Sequence, residues 1–193
     1  MSFFPPDLTP PAGLQTAQFV LEPLTPAHVK LDYAAVMSSR QMLRQWSGST
    51  WPADDFTVAD NLVDMEWHHR EHLERIAFTY TMLDLDCARC LGCVYIRPLS
   101  ELVLDNPQKL AVIGDDEALV RLWVREALWE GPFETNVVRS LMSWFAEAWP
   151  FSQVYFHTRT VNPRQAHHFD QAGLQMKMTL ELPRRGGEHS FFA

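Results

Sequence analysis

From Val120 to Leu182 the chain reads strand, turn, amphipathic helix, strand, short helix, strand, and this order constrains the fold more than any other feature. Leu119 to Glu126 alternates with the period of a strand: Val120, Leu122 and Val124 fall on one face, Arg121, Trp123 and Arg125 on the other. From about Pro132 or Phe133 to Ala148 the apolar residues Val137, Val138, Leu141, Met142 and Phe145 recur at helical spacing, so this helix has a stripe to lay on a sheet. Gln153 to Thr160 is the next strand. Asn162 then caps a helix that opens on Pro163, Gly173 can take the left-handed conformation that ends it, and Gln175 to Leu182 is a further strand.

The first part of the chain supplies the rest of such a sheet. Pro5, Pro6, Pro10 and Pro11 keep residues 1–16 irregular, a tail or a strap, and residues 17–193 are expected to form a single domain. Gln18 to Leu24 is a short strand, Thr25-Pro26 starts a helix over 26–37, and Gly48 to Pro52 interrupts. A second helix runs from Asp54, Asp55 or Thr57 to about Arg75, with Val58, Leu62, Met65 and Leu73 as its buried stripe. Ala77 to Leu85 and Cys90 to Leu99 form an antiparallel hairpin, and residues 100–116 are a surface insertion. An antiparallel run that turns into strand-helix-strand-helix-strand is an α+β arrangement: one mixed, mostly antiparallel sheet with helices on both faces.

Charge and composition exclude several function classes. With 24 acidic against 16 basic residues and a net charge of -8, the surface as a whole repels nucleic acid and anionic membranes. The opening Met-Ser-Phe-Phe-Pro-Pro-Asp lacks a basic and then apolar leader, and no run approaches the length of a membrane span, so a cytoplasmic location is expected. Cys87, Cys90 and Cys93 are clustered and odd in number, which fits reduced thiols. Their spacing resembles a zinc knuckle, but no second ligand pair follows, and in a regular strand Cys90 and Cys93 point to opposite faces; His68 and His72 sit one helical turn apart on what reads as a solvated face. No metal is expected.

The C-terminal half resembles the GNAT superfamily of N-acetyltransferases. The family pattern of a W-V-R-P-like strand end leading to a glycine-rich loop and a helix is met by Trp123-Val124-Arg125-Glu126 and then Trp129-Glu130-Gly131-Pro132-Phe133-Glu134-Thr135-Asn136. The later signature is met without a gap by Asn162, Gln165, Phe169, Gly173 and Leu174.

The resemblance implies that the fourth and fifth strands, 119–126 and 153–160, splay apart, so that strand 119–126 offers its main chain at Trp123, Val124 and Arg125 to the pantetheine arm of acetyl-CoA or another acyl-CoA. It places the pyrophosphate at the helix start, over Gly131, Phe133, Glu134, Thr135 and Asn136, with Asn162 and Phe169 also against the cofactor. The implied activity is direct acyl transfer to a primary amine of a small molecule or peptide; acceptor, acyl length and oligomeric state, a homodimer included, stay open.

The chain departs from the pattern at the chemistry. The family glycines fall on Pro132, which has no amide donor, and Glu134, a carboxylate where a diphosphate should sit; the family tyrosine falls on Phe169, which has no proton to give. Glu126, at the strand end, and His168, on the short helix, are the catalytic candidates, with His167 and His157 as further titratable neighbours; each also has a plain structural role open to it. Asn162 and Thr135 serve equally as helix caps. Trp46, Trp51 and Trp129, in loops, are candidate walls of a substrate pocket. The alternative to an enzyme is a protein that keeps this fold as a binding or regulatory module.

Overall fold

The structure, a computed structural model, describes residues 3–102, 104, 113–182 and 186–193. Eight strands make one sheet: β1 (Leu14–Gln15), β2 (Val20–Pro23), β3 (Phe78–Leu83), β4 (Cys90–Pro98), β5 (Glu117–Val124), β6 (Gln153–Arg159), β7 (Met176–Leu182) and β8 (Gly187–Phe192), in spatial order β1-β2-β3-β4-β5-β6-β8-β7. Every neighbouring pair is antiparallel except β5 with β6. The α+β class holds as read. Five α-helices are described: α1 (Val29–Ser38), α2 (Arg40–Ser47), α3 (Val58–Leu73), α4 (Phe133–Ala148) and α5 (Pro163–Ala172).

The two main cores lie on the two faces, as the alternation of β5 requires, and a smaller cluster gathers Leu99, Leu102, Leu119, Leu180 and Phe191. Val120, Leu122 and Val124 join Val137, Val138, Leu141 and Phe145 of α4, while Trp123 joins Leu43 and Trp46 of α2, Val36 of α1 and Met65 of α3. Phe4 sits in the first core, edge-on to Phe78 and Trp149, and the Tyr80 hydroxyl donates to the Pro11 carbonyl at 2.6 Å. The proline-rich segment is thus a strap, held by its aromatic side chains, and it ends in the short strand β1.

Three local features differ from the sequence reading. Three elements, β1, α2 and β8, are additional. The stripe expected on α3 is turned: Met65 is buried as expected, but Val58 and Leu73 are exposed, and the helix buries Asn61 and Glu71 in their place. Its start is as expected, since the Thr57 hydroxyl accepts the Asp60 amide while the Asp60 carboxylate accepts the Thr57 amide at 2.8 Å. The hairpin carries a bulge. Leu83 faces Cys90 while Met82 faces Gly92, so Leu91 is the extra residue, and it resets the alternation to bring Cys90 and Cys93 to the same face. Of the insertion 100–116, the first turn is buried through Leu102, and residues 103 and 105–112 lie outside the described residues.

β5 and β6 pair only from Glu117↔Gln153 to Val120↔Phe156. Beyond that point β5 stays bonded to β4 as far as Val124, while β6 follows β8 as far as Arg159. The two parallel strands therefore part, which is the splay expected between them.

Candidate functional site

The gap opens into a cavity of about 180 Å³ lined by Met42, Gln45 and Trp46 of α2, Trp123 and Val124 of β5, Trp129, and Arg159 to Gln165 in part. Leu122 turns its carbonyl into this gap, where Gln165 Nε2 reaches it at 3.0 Å, and strand alternation sends the main chain of Val124 the same way. A strand edge without a strand partner is a ready acceptor of an extended amide-bearing chain.

The helix start beside the gap is differently furnished. Glu134, in the first turn of α4, is fully buried; Arg164 Nη1 meets its Oε2 at 2.6 Å, and Gln165 Nε2 donates to its Oε1 at 2.8 Å. The Arg164 guanidinium also lies over the Trp129 ring, 4.0 Å from its centroid. A carboxylate here takes up the positive end of the α4 dipole, the place where a diphosphate would bind. The strand edge fits an acyl-CoA arm, and the buried Trp129 Nε1 is a donor without a hydrogen-bond partner among the described residues; the phosphate cradle, in this arrangement, does not fit, because Glu134 already holds it.

A second cavity, about 330 Å³, lies on the other side of Trp46, whose ring borders both. Its walls include Trp51, Trp67, Tyr95 and Arg121, with the Arg121 guanidinium 4.3 Å from the Trp46 centroid. His68 of α3 also lines it, its Nδ1 3.3 Å from Glu71 Oε2, and Arg97 donates to Glu71 through Nη2 and Nη1 at 2.8 and 2.9 Å. Burial alone would raise the Glu71 carboxyl, but hydrogen bonds from His68 and Arg97 hold it at about 2. The face of α3 that reads as solvated is in fact turned inward, with His72 packed edge-on to Phe78 and Tyr80.

The structure brings some of the sequence candidates together and disperses others. Trp46, Trp123, Val124, Trp129 and Asn162 line the smaller cavity, and Trp46 and Trp51 the larger. Arg125 turns its amide to Leu91 of the neighbouring strand, and Gly131 sits in a left-handed turn before α4. Phe133 packs on Phe19, Asn136 donates to Gln18 at 3.0 Å, and the Glu126 amide donates to the Ser39 hydroxyl at 3.1 Å. Thr135 is hydrogen-bonded to His168 Nδ1 at 2.9 Å, and burial lowers the His168 pKa. Phe169 is wholly buried between Phe156 and Phe192. Asn162 caps α5 through the Gln165 amide. Sequence reasoning missed Gln45, Arg164, Gln165 and the His68–Glu71–Arg97 group; Gln165 carried a signal, as a member of the resemblance motif.

No protein-family model matches the chain, and no curated protein matches it in sequence. Solved structures do match. The chain is similar to the microcin C7 self-immunity acetyltransferase MccE, solved with acetyl-CoA and AMP, at TM-score 0.73 and 11% identity over 94% of this chain and 95% of that one. It is similar to the ribosomal alpha-N-protein acetyltransferase RimL, solved with coenzyme A, at TM-score 0.70 and 12% identity over 94% of each chain. A ribosomal-protein-S5-alanine acetyltransferase from Vibrio fischeri gives TM-score 0.68 and 12% identity over 94% and 95%. The fold is that of the GNAT superfamily of N-acetyltransferases.

Proposed function

We propose that the chain is an acyl-CoA-dependent N-acyltransferase, in which acetyl-CoA enters the gap between β5 and β6 and a primary amine enters the larger cavity. The observation that carries this reading is the parting of β5 and β6 after the Val120↔Phe156 pair, with two cavities meeting at Trp46 beside the exposed strand edge. The amine nitrogen attacks the thioester carbonyl directly, and the thiolate leaves. His68, which lines the amine side and has Nδ1 held by Glu71, accepts the amine proton through its other ring nitrogen or through water. Phe169 cannot protonate the thiolate, so solvent does. Solved relatives in fold that carry acetyl-CoA or coenzyme A support the donor. A small-molecule or peptide amine as acceptor, and a cytoplasmic, single-domain protein from residue 17 onward, are part of the proposal.

One observation favours a second reading. The Glu134–Arg164–Gln165 cluster fills the cradle with the chain's own groups, as a non-catalytic binding module of this fold would. Calorimetric titration of acetyl-CoA into the wild type and a Glu134→Gly variant separates the two. The transferase reading expects saturable binding, tightened about tenfold in the variant because Arg164 loses its internal anion, and thiol release when an amine panel is added. Absence of binding in both proteins at millimolar acetyl-CoA removes it.

A further inference from the structure

On the α1 face of the sheet three metal-binding groups converge. Asp32 of α1 and Cys90 and Cys93 of β4 are all buried, and their ligand atoms lie within 4.8 Å of one another. We propose that these three residues hold a thiophilic divalent cation, zinc above all, with a fourth coordination position open toward the 330 Å³ cavity that Asp32 lines. The site does not depend on the acyl-transfer reading.

The sulfur–oxygen spacings fit a tetrahedral centre. With metal–sulfur bonds of about 2.3 Å and a metal–oxygen bond of about 2.0 Å, sulfur and oxygen ligands stand about 3.5 Å apart. Asp32 Oδ1 is 3.4 Å from Cys93 Sγ and 3.9 Å from Cys90 Sγ. The other carboxylate oxygen is already fixed, since Asn61 Nδ2 donates to Asp32 Oδ2 at 2.9 Å; a ligating carboxylate is commonly oriented in this way by an outer hydrogen bond.

The scaffold is rigid. Cys90 and Cys93 lie in a strand bonded on both sides, and they share a face only because of the bulge at Leu91. Gly92 between them has no room for a side chain: a Cβ would lie 2.0 Å from the Trp123 carbonyl oxygen, so the backbone of the bulge is pressed against β5.

The surroundings argue the same way. Ala35, Met65, Leu83 and Trp123 pack about the three groups, an apolar setting in which a carboxylate or thiolate is costly unless a proton or a cation neutralises it. A divalent metal neutralises two ligand charges, and each thiol that ligates gives its proton to solvent. Two sulfurs in the set select against magnesium and calcium, which take oxygen ligands, and three protein ligands with one open position leave room for a water or an exogenous amine or carboxylate. Cys87 is exposed in the hairpin turn and stands outside the set.

The test is a cobalt titration of the reduced, metal-stripped full chain. One equivalent of Co²⁺ is expected to give a sulfur-to-cobalt charge-transfer band and tetrahedral ligand-field bands, displaced by one equivalent of zinc. Cys93→Ser abolishes the charge-transfer intensity or halves it, Asn61→Ala weakens binding by about 10- to 100-fold, and Cys87→Ser changes nothing. A wild type with all thiols reduced that gives no sulfur-to-cobalt band overturns the proposal, as does a band that survives Cys93→Ser intact or disappears in Cys87→Ser. Should Cys93→Ser fail to fold, the wild-type titration and the exposed Cys87→Ser variant still decide.

Discussion

Replacing Glu71 with glutamine tests whether the inward-turned face of α3 is held by charge. The Glu71 side chain is 8% exposed and accepts from Arg97 Nη1 and Nη2 at 2.9 and 2.8 Å, with His68 beside it. Its carboxyl lies at about 2 against an ordinary 4.5. At about 1.4 kcal/mol per pH unit this sets an upper bound of about 3 kcal/mol on the stability carried by the ionised form, and about 2 kcal/mol once screening by the solvent that reaches the Arg97 guanidinium is allowed for. Because the folded pKa lies below the unfolded one, this contribution is fully present above pH 4.5 and is lost as pH falls toward 2. Glu71→Gln keeps the shape and much of the hydrogen bonding but removes the charge, so urea unfolding at pH 7 should show a loss of about 2 kcal/mol. The difference between wild type and variant should shrink below pH 4.5, to under half its neutral value near pH 3. A difference that stays constant between pH 7 and 3, or one below about 1 kcal/mol at pH 7, would refute the reasoning and put this pair among ordinary surface ion pairs.

Three further expectations follow from the packing. Burial lowers the pKa of both His168 and His72, so the unfolded chain binds protons more readily and stability should fall as pH drops through about 6.5; melting temperatures from pH 8 to 5.5 should decline less in a His72→Gln, His168→Gln double variant. Gly92→Ala should force β4 away from β5 and lower stability by more than about 4 kcal/mol, read by denaturant midpoint, whereas Gly131→Ala, with nothing within 4 Å of the added carbon, should cost only about 1–2 kcal/mol of backbone strain at its positive φ. Phe4→Ala should cost about 3–5 kcal/mol by the same measurement, because the strap is anchored through that ring in the main core; a loss below 1 kcal/mol would make residues 3–15 a loose tail.

The sheet was legible because its strands obey a period of two and its helices carry caps: Thr57 with Asp60, Asn162 before Pro163, and Gly173 in the left-handed region at the end of α5. What escaped has physical reasons. The helix α2 is short and polar, and its three buried residues, Met42, Leu43 and Trp46, reveal a face only once α1 and β5 are there to receive it. Apart from Met65, the buried face of α3 differs from the expected stripe because Arg97, on a strand, neutralises Glu71 and lets charged residues turn inward, a pairing that no local period announces. Cys90 and Cys93 were placed on opposite faces because a bulge costs one residue of register and leaves no mark in composition. Within the candidate site, the aromatic walls at Trp46, Trp51 and Trp129 could be named from the sequence. The partners of Glu134 could not, since Arg164 and Gln165 lie about 30 residues away along the chain.

The gap between β5 and β6 is a product of topology before it is a binding site. β5 must continue to Val124 to complete its pairing with β4, and β6 must bend toward β8 to complete the pairing of Arg159 with His189, so the two strands part whether or not a ligand enters. The parting therefore establishes the fold, and the contents of the gap decide the chemistry. Those contents are specific. Gln165 Nε2 stands where an amide N–H of an added strand would stand, on the Leu122 carbonyl, and Glu134 stands where an anion would stand, at the start of α4. The chain's own groups thus mimic both halves of an amide-bearing diphosphate. An acyl-CoA must compete with them one for one, exchanging its amide for that of Gln165 and its phosphate for the Glu134 carboxylate on Arg164. Each exchange replaces one hydrogen bond by another of the same kind, so the net affinity rests on the added contacts and is expected to be weak in the wild type. Removal of either internal mimic, by Glu134→Gly or Gln165→Ala, should therefore raise acetyl-CoA affinity; a lower affinity in both variants would mean that these side chains hold the ligand rather than its place.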